Sequence, residues 1–177
     1  VENLKRELRA FEDSASVAGL QQQLQHHNGF HYNTAKVVNN SVNKVNNYIT
    51  IDKGTLQGVG QQMGVFNHQG VIGITYTSSD NFTIVLPLLN SKSIISCKVK
   101  GNTLCSLKWD GKDTRHSYLI DLPRYELFEK GDTVYTSGFS SIFPAGLPIG
   151  EIQNLEDSDD GMFYRAKVKL FVDFASV

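Results

Sequence analysis

The chain has 177 residues, of which 40% are hydrophobic and 20% are charged, and its formal net charge is -1. This length and composition are typical of one or two small folded domains and exclude a fibrous or disordered chain. The near-neutral charge gives no bulk attraction to nucleic acid, so we expect no nucleic-acid binding. The sequence has no run of about 18 apolar residues that would cross a bilayer. Because it begins at Val1 inside a charged helical pattern, without a methionine, we expect it to be part of a longer protein.

The first segment, residues 1–27, has the spacing of a coiled-coil helix. Apolar and small residues recur at alternating intervals of four and three, as in a heptad seam; they are Leu4, Leu8, Phe11, Ala15 and Ala18. The pattern predicts a helix that pairs with a second copy as a parallel dimer stalk. A single amphipathic helix packed on its own domain is the alternative.

After His27 the pattern changes to short runs of β-branched residues, each closed by glycine, asparagine or aspartate, which is typical of strands and turns. We predict strands at residues 35–38, 48–52, 63–67, 71–76, 82–86, 94–99, 104–109, 117–121, 133–136, 149–155 and 163–172. The helices that a parallel sheet needs are missing from this pattern. The predicted fold class is therefore mainly β, with two small antiparallel β-barrels of about six strands each after the N-terminal coiled-coil helix. The simplest division assigns residues 30–80 and 148–177 to a first barrel and residues 81–147 to a second barrel inserted into it.

The two cysteines flank one predicted hairpin. If residues 100–102 form a three-residue loop, Cys97 faces Cys105 on the apolar face that also carries Leu107 and Trp109. A disulfide between them is geometrically allowed in an oxidising compartment, and a pair of buried thiols is the more usual outcome. Neither cysteine has the spacing of a zinc site.

The sequence contains no motif that argues strongly for catalysis. His68, Asp80 or Asp113, and Ser137 or Ser140 follow the chain order of a chymotrypsin-like triad. The context around these serines matches neither the Gly-Asp-Ser-Gly nor the Gly-x-Ser-x-Gly nucleophile pattern. The acidic residues 156–161 lack the ligand spacing of an EF-hand. We therefore predict no catalytic, metal-binding or cofactor-binding residues.

Glycines cluster in two stretches that each indicate a strand, a tight turn and another strand. We assign a structural turn role to Gly54, Gly58, Gly73, Gly138, Gly146 and Gly150. The ordered series resembles the periplasmic region of the MreC family of cell-shape proteins. It runs from Asp52-Lys53-Gly54 and Gly58 through Gly131-Asp132, Thr136-Ser137-Gly138 and Phe143-Pro144 to Gly146 and Gly150, after a coiled-coil helix.

The resemblance implies a non-catalytic scaffold at the periplasmic face of the bacterial inner membrane, anchored by a single segment that is absent from this sequence. It implies a role in cell shape, linking the MreB cytoskeleton to peptidoglycan synthesis by the elongation machinery. The partners that it implies are MreD, RodA, the elongation-specific penicillin-binding transpeptidase and further copies of the same protein. The alternatives are a chymotrypsin-like double-barrel serine protease and a coiled-coil envelope adaptor.

Residues 138–148, which we call the 138–148 connection, are the candidate partner-contact segment. Several large apolar side chains among glycines and prolines exceed what a solvated loop needs. Either they fill the seam between the two barrels or they contact a partner; they are Phe139, Ile142, Phe143 and Leu147.

Overall fold

The structure is a computed structural model that describes residues 30–101, 103–157 and 161–177. The predicted coiled-coil residues Leu4, Leu8, Phe11, Ala15 and Ala18 lie outside these residues, so the dimer stalk stays a prediction. Residues 35–177 form one compact unit. Among the described residues, no helix is long and apolar enough to cross a membrane.

The first half of the unit is an open antiparallel sheet of five strands. Its strands are β1 (Val37–Asn40), β2 (Ile49–Ile51), β3 (Gly64–Phe66), β4 (Val71–Ser78) and β5 (Thr83–Pro87), with a short 3-10 turn at Thr55–Gln57. Their order across the sheet is β1-β2-β5-β4-β3. Alternate residues of β5 are buried, because the pleat of a strand sends successive side chains to opposite faces of the sheet.

The second half is a closed antiparallel barrel. It consists of β6 (Ile94–Val99), β7 (Thr103–Lys108), β8 (His116–Pro123), β9 (Thr133–Thr136), β10 (Pro148–Asp157) and β11 (Phe163–Leu170). The strands close in the order β10-β11-β8-β7-β6-β9. The barrel interior is filled by alternating apolar side chains, among which Val99, Leu119, Val134, Ile152 and Val168 are fully buried.

The strand pairing corrects the predicted division into two barrels. Strand β5 pairs with β2 and β4, so residues 83–87 belong to the first sheet. Strands β10 and β11 pair with β9 and β8, so residues 148–170 complete the barrel instead of returning to the first unit. The first unit is accordingly a five-stranded sheet and not a closed barrel of six. Alternation along residues 149–155 and 163–172 fits an inward face in either unit, so the sequence pattern could not select the pairing partner.

Two buried asparagines fix the passage from the sheet to the barrel. The side-chain amide of Asn47 donates to the carbonyl of Leu89 at 2.8 Å, and that of Asn90 donates to the carbonyl of Asn47 at 2.8 Å. Both side chains are fully buried, and their amides satisfy backbone carbonyls that water cannot reach.

The segment after β11, residues 171–177, returns to the five-stranded sheet. The side-chain amide of Asn40 on β1 donates to the carbonyl of Phe174 at 2.7 Å, and the backbone N–H of Asp173 donates to Gln69 Oε1 at 3.2 Å. Val172 and Phe174 are buried. The sheet and the barrel are therefore joined by the end of this segment as well as by the passage near Asn90.

The predicted register of the cysteine hairpin is confirmed. Cys97 on β6 is directly opposite Cys105 on β7, with Ile95 opposite Leu107 and Val99 opposite Thr103. Both cysteines are free thiols and are buried, as the predicted apolar face requires.

Candidate partner-contact site

The 138–148 connection leaves the barrel after β9 and re-enters it at β10, and one buried threonine holds its two ends together. The Thr136 hydroxyl donates to the carbonyl of Pro144 at 2.6 Å and accepts from the backbone N–H of Leu147 at 2.9 Å. The backbone N–H of Gly146 donates to the carbonyl of Thr136 at 3.0 Å. These bonds satisfy backbone groups at the base of the connection that would otherwise lack partners, so the base is well determined.

The turn that begins the connection is fixed by a second set of polar contacts. The hydroxyls of Ser137 and Ser96 lie 2.9 Å apart, and the Ser137 hydroxyl accepts from the backbone N–H of Phe139 at 3.1 Å. Gly138 has a φ of 75°, and a Cβ at this position would lie 2.7 Å from the Cβ of Ala145. The chain therefore folds back on itself at Gly138. Both the positive φ and the overlap with Ala145 disfavour any side chain at this position.

Two of the four predicted contact residues are buried. Phe143 is 3% exposed and Leu147 is 5% exposed. A Cβ added to Gly64 on strand β3 would overlap the ring of Phe143, so this ring packs directly on the glycine. Phe143 thus fills the seam between the barrel connection and the edge of the sheet. The burial of Phe143 and Leu147 therefore favours the first of the two alternatives, in which they fill the seam, over contact with a partner.

The other two predicted residues remain accessible. Phe139 is 77% exposed at the start of the connection, and Ile142 is partly exposed. Tyr135 and Leu104 are also exposed on the outer surface of the barrel, where both are paired with Lys98 in neighbouring strands. An exposed aromatic ring on a fixed base is the arrangement that a protein partner can cover without reordering the loop.

The predicted turn glycines fall into two structural groups. Gly58, Gly138 and Gly146 have φ values of 79°, 75° and 88°, which L side chains rarely adopt. Gly54, Gly73 and Gly150 instead face backbone oxygen atoms so closely that a Cβ would overlap them. These oxygens belong to Ser79, Leu86 and Lys169.

Sequence reasoning missed two exposed apolar surfaces. Tyr125 and Leu127, in the loop between β8 and β9, are 81% and 83% exposed, while the adjacent Phe128 is buried and anchors the loop. The signal was available as an apolar residue on either side of Glu126, followed by a third. The second surface is a groove of about 180 Å³, which is lined by the sheet residues Ile74, Tyr76 and Leu86 and by Lys92 and Ile94 at the start of the barrel.

The residues considered for a serine-protease triad do not assemble. His68 lies in the turn before β4 and Asp80 in the turn after it, so the eight-residue strand separates them by roughly 25 Å. The hydroxyl of Ser137 is engaged by Ser96 and by the backbone N–H of Phe139.

Asp113, the other candidate acid, has a different histidine as its partner. Its carboxylate accepts from the backbone N–H of Arg115 at 2.7 Å and lies 2.6 Å from Nδ1 of His116. The hydrogen bond from Arg115 and, to a lesser extent, those with His116 lower the pKa of Asp113. Within the described ranges, no group of three or more histidine, cysteine and acidic residues could hold a metal ion.

The sequence and the fold match one known family. The family described as rod shape-determining protein MreC, barrel core, matches residues 37–177. The chain belongs to the MreC family. The MreC protein of Listeria monocytogenes is 34% identical over 139 residues, which cover 76% of this chain and 47% of that protein. That of Bacillus subtilis is 31% identical over 140 residues, covering 73% and 48%. The chain therefore spans about half the length of these relatives, which are named as cell shape-determining proteins.

Solved structures of MreC proteins share the fold. The Listeria monocytogenes structure has a TM-score of 0.66 at 28% identity and covers 98% of this chain and 88% of that one. The major periplasmic domain of a protein described as the cell shape-determining filament MreC has a TM-score of 0.63 at 25% identity, covering 81% and 92%. MreC in a complex with a penicillin-binding protein, PBP2, from Helicobacter pylori has a TM-score of 0.60 at 21% identity, covering 73% and 80%. At that identity the last likeness establishes the fold alone.

Proposed function

We propose that this chain is the barrel region of a non-catalytic scaffold of the cell-elongation machinery, which acts at the periplasmic face of the inner membrane and maintains cell shape. The observation that carries the proposal is the family match over residues 37–177, which covers both the five-stranded sheet and the closed barrel. A solved MreC structure is described as the major periplasmic domain of a cell shape-determining filament, which supports the proposed location and self-association. A single membrane segment outside this sequence would anchor the protein.

The partner that we propose for this region is the elongation-specific penicillin-binding transpeptidase. The Helicobacter pylori complex supports this choice because an MreC protein of the same fold binds a penicillin-binding protein there. By resemblance, MreD, RodA and the MreB cytoskeleton are the further partners of the whole protein. Self-association through the coiled-coil segment would place several barrels side by side and raise their effective concentration for the enzyme.

Within the barrel region we propose Phe139 as the contact residue. Its ring is 77% exposed, so a partner pocket could bury most of a surface that is now in water. The hydrogen bond between the Phe139 backbone and Ser137 and the fold-back at Gly138 hold the backbone in place. Binding would then cost little loop ordering, which is the condition under which one aromatic residue contributes strongly to affinity.

The experiment measures the affinity of the purified transpeptidase for this chain and for two matched variants. Phe139→Ala should raise the dissociation constant by about 30-fold, which corresponds to roughly 2 kcal/mol. Leu127→Ala is the control, because it removes an equally exposed apolar side chain from a different loop. Isothermal titration calorimetry gives the constants, and circular dichroism checks that both variants are folded.

The outcomes separate the partner from the surface. Wild-type protein that does not bind the transpeptidase at concentrations of about 100 μM would overturn the partner. Binding that survives Phe139→Ala but is lost in Leu127→Ala would keep the partner and refute the contact residue, placing the interface at the loop between β8 and β9.

A further inference from the structure

The chain has two cysteines, and the fold places them next to each other inside the barrel. Cys97 and Cys105 are opposite each other in adjacent antiparallel strands, and their Sγ atoms lie 3.6 Å apart. Each thiol is also close to the backbone carbonyl of the other residue, at 3.4 Å and 3.6 Å. Described residues on both sides of the pair keep the same register, so the hairpin itself brings the two sulfurs together.

The backbone already has the geometry that a disulfide needs. Directly opposite residues of an antiparallel ladder have Cα atoms about 4.5 or 5.5 Å apart, depending on the type of pair. Disulfides span Cα distances of about 4.4 to 6.8 Å, so either type lies within range. Bringing the sulfurs from 3.6 Å to a bond of about 2.05 Å requires side-chain rotation and no change of register.

The pair also lies where the barrel closes. Strand β6 meets β9 through two register pairs, Cys97 with Thr136 and Lys98 with Tyr135. Thr136 is the residue whose hydroxyl holds both ends of the 138–148 connection. A covalent link at Cys97 would therefore fix the β6–β7 hairpin directly beside this closing seam.

We propose that Cys97 and Cys105 are a modification site at which an intrachain disulfide forms when the chain folds in an oxidising compartment. The compartment rests on the proposed periplasmic function. The oxidant is a disulfide, supplied by a thiol–disulfide oxidoreductase or by oxidised glutathione.

The exchange takes place in two steps. One cysteine thiolate attacks a sulfur of the oxidant, which forms a mixed disulfide and releases the first thiolate of the oxidant. The second cysteine then attacks the mixed disulfide, forms the Cys97–Cys105 bond and releases the second thiolate. The chain loses two protons and two electrons, and the oxidant becomes two thiols.

The bond has to form before the barrel is closed. In the folded structure, the hydrogen bond with Cys105 and burial raise the pKa of Cys97, so the reactive thiolate is suppressed. Both side chains are also shielded from a dissolved oxidant. The open hairpin has neither obstacle, and closure of the barrel then protects the bond from reductants.

The test refolds the reduced, denatured chain in a mixture of reduced and oxidised glutathione. Free thiols are afterwards alkylated with iodoacetamide in denaturant, and the intact mass is measured. We expect no alkylation, no glutathione adduct and a mass lower by two hydrogen atoms. Two alkylated cysteines, or glutathione on both, would overturn the inference.

Two further measurements distinguish a disulfide that forms during folding from nonspecific oxidation of the folded chain. The chain that is folded before it meets the same mixture should oxidise at least about tenfold more slowly. The oxidised chain should melt roughly 5 °C above the reduced chain, because the bond restricts the unfolded hairpin. A variant with both Cys97→Ala and Cys105→Ala should melt at the same temperature under either condition. Equal oxidation rates, or equal melting of the oxidised and reduced chains, would refute the protected bond, and neither result bears on transpeptidase binding.

Discussion

Replacing Phe143 and Phe139 separately tests whether the 138–148 connection has one buried and one exposed aromatic anchor. A phenylalanine side chain buries roughly 200 Å² when it is fully covered, which is worth about 5 kcal/mol at about 25 cal/mol per Å². Phe143 keeps only 3% of its surface exposed, so Phe143→Ala should cost about 3 to 5 kcal/mol of unfolding free energy. Phe139 is 77% exposed, so Phe139→Ala should cost at most about 1 kcal/mol.

The assay is urea unfolding followed by circular dichroism, with thermal melting as a second measure. For a chain of this size the Phe143 variant should melt about 6 to 20 °C lower. Gly64→Ala provides an internal check, because its methyl group would overlap the Phe143 ring. It should cost less in the Phe143→Ala background than in the wild type. Equal stability losses for the two phenylalanine variants, or additive effects of Gly64→Ala and Phe143→Ala, would refute the packing argument.

Two further predictions concern polar groups. Thr136→Val removes both hydrogen bonds of a buried hydroxyl and should lower the unfolding free energy, measured with urea, by about 1 to 3 kcal/mol. Thr133→Val is the control, because Thr133 lies on the same strand but is partly exposed. An equal loss of stability in both variants would contradict the role of the Thr136 hydroxyl. The Arg115 N–H and, to a lesser extent, His116 hold the pKa of Asp113 below its ordinary value of 3.8. The ionised Asp113 carboxylate should therefore stabilise the fold above pH 3.8, and this contribution should be lost as the pH falls through the lower pKa of the folded state. The unfolding free energy of the wild type should fall between about pH 5 and pH 3, and Asp113→Asn should make this fall smaller. The difference should be small, since the Asp113 side chain is 45% exposed. The same fall in the variant and the wild type would show that Asp113 makes no such contribution.

Local sequence patterns predicted the strands well and their ends less well. Strands β6 and β9 have the predicted bounds. Strand β8 was predicted to end at Asp121 but continues to Pro123, because Asp121 adopts a φ of 59° next to a register shift in the pairing with β11. Such a bulge depends on the neighbouring strand, which the local pattern does not identify.

The long-range pairing and the division of the candidate site required the structure. The cysteine register followed from loop length alone, so it could be predicted. Phe139 and Phe143 both lie among glycine, serine and proline residues in the same short segment. Phe143 is buried because its ring packs on Gly64, a residue far earlier in the chain that the local sequence does not identify as its neighbour. The apolar residues Tyr125 and Leu127 on either side of Glu126 form too short a pattern to indicate a strand or a helix, so the periodicity of the sequence did not identify this surface.

The return of residues 171–177 to the five-stranded sheet has a consequence for biosynthesis. Ribosomes make a chain from its N-terminal end, so residues 37–87 emerge long before Val172 and Phe174. The sheet must wait for the whole barrel sequence before these two buried side chains can complete it. During that interval the nascent chain exposes apolar sheet surface and is prone to aggregate. A product that stops short of Val172 would consequently lack the two side chains that complete the sheet and would be a target for proteolysis.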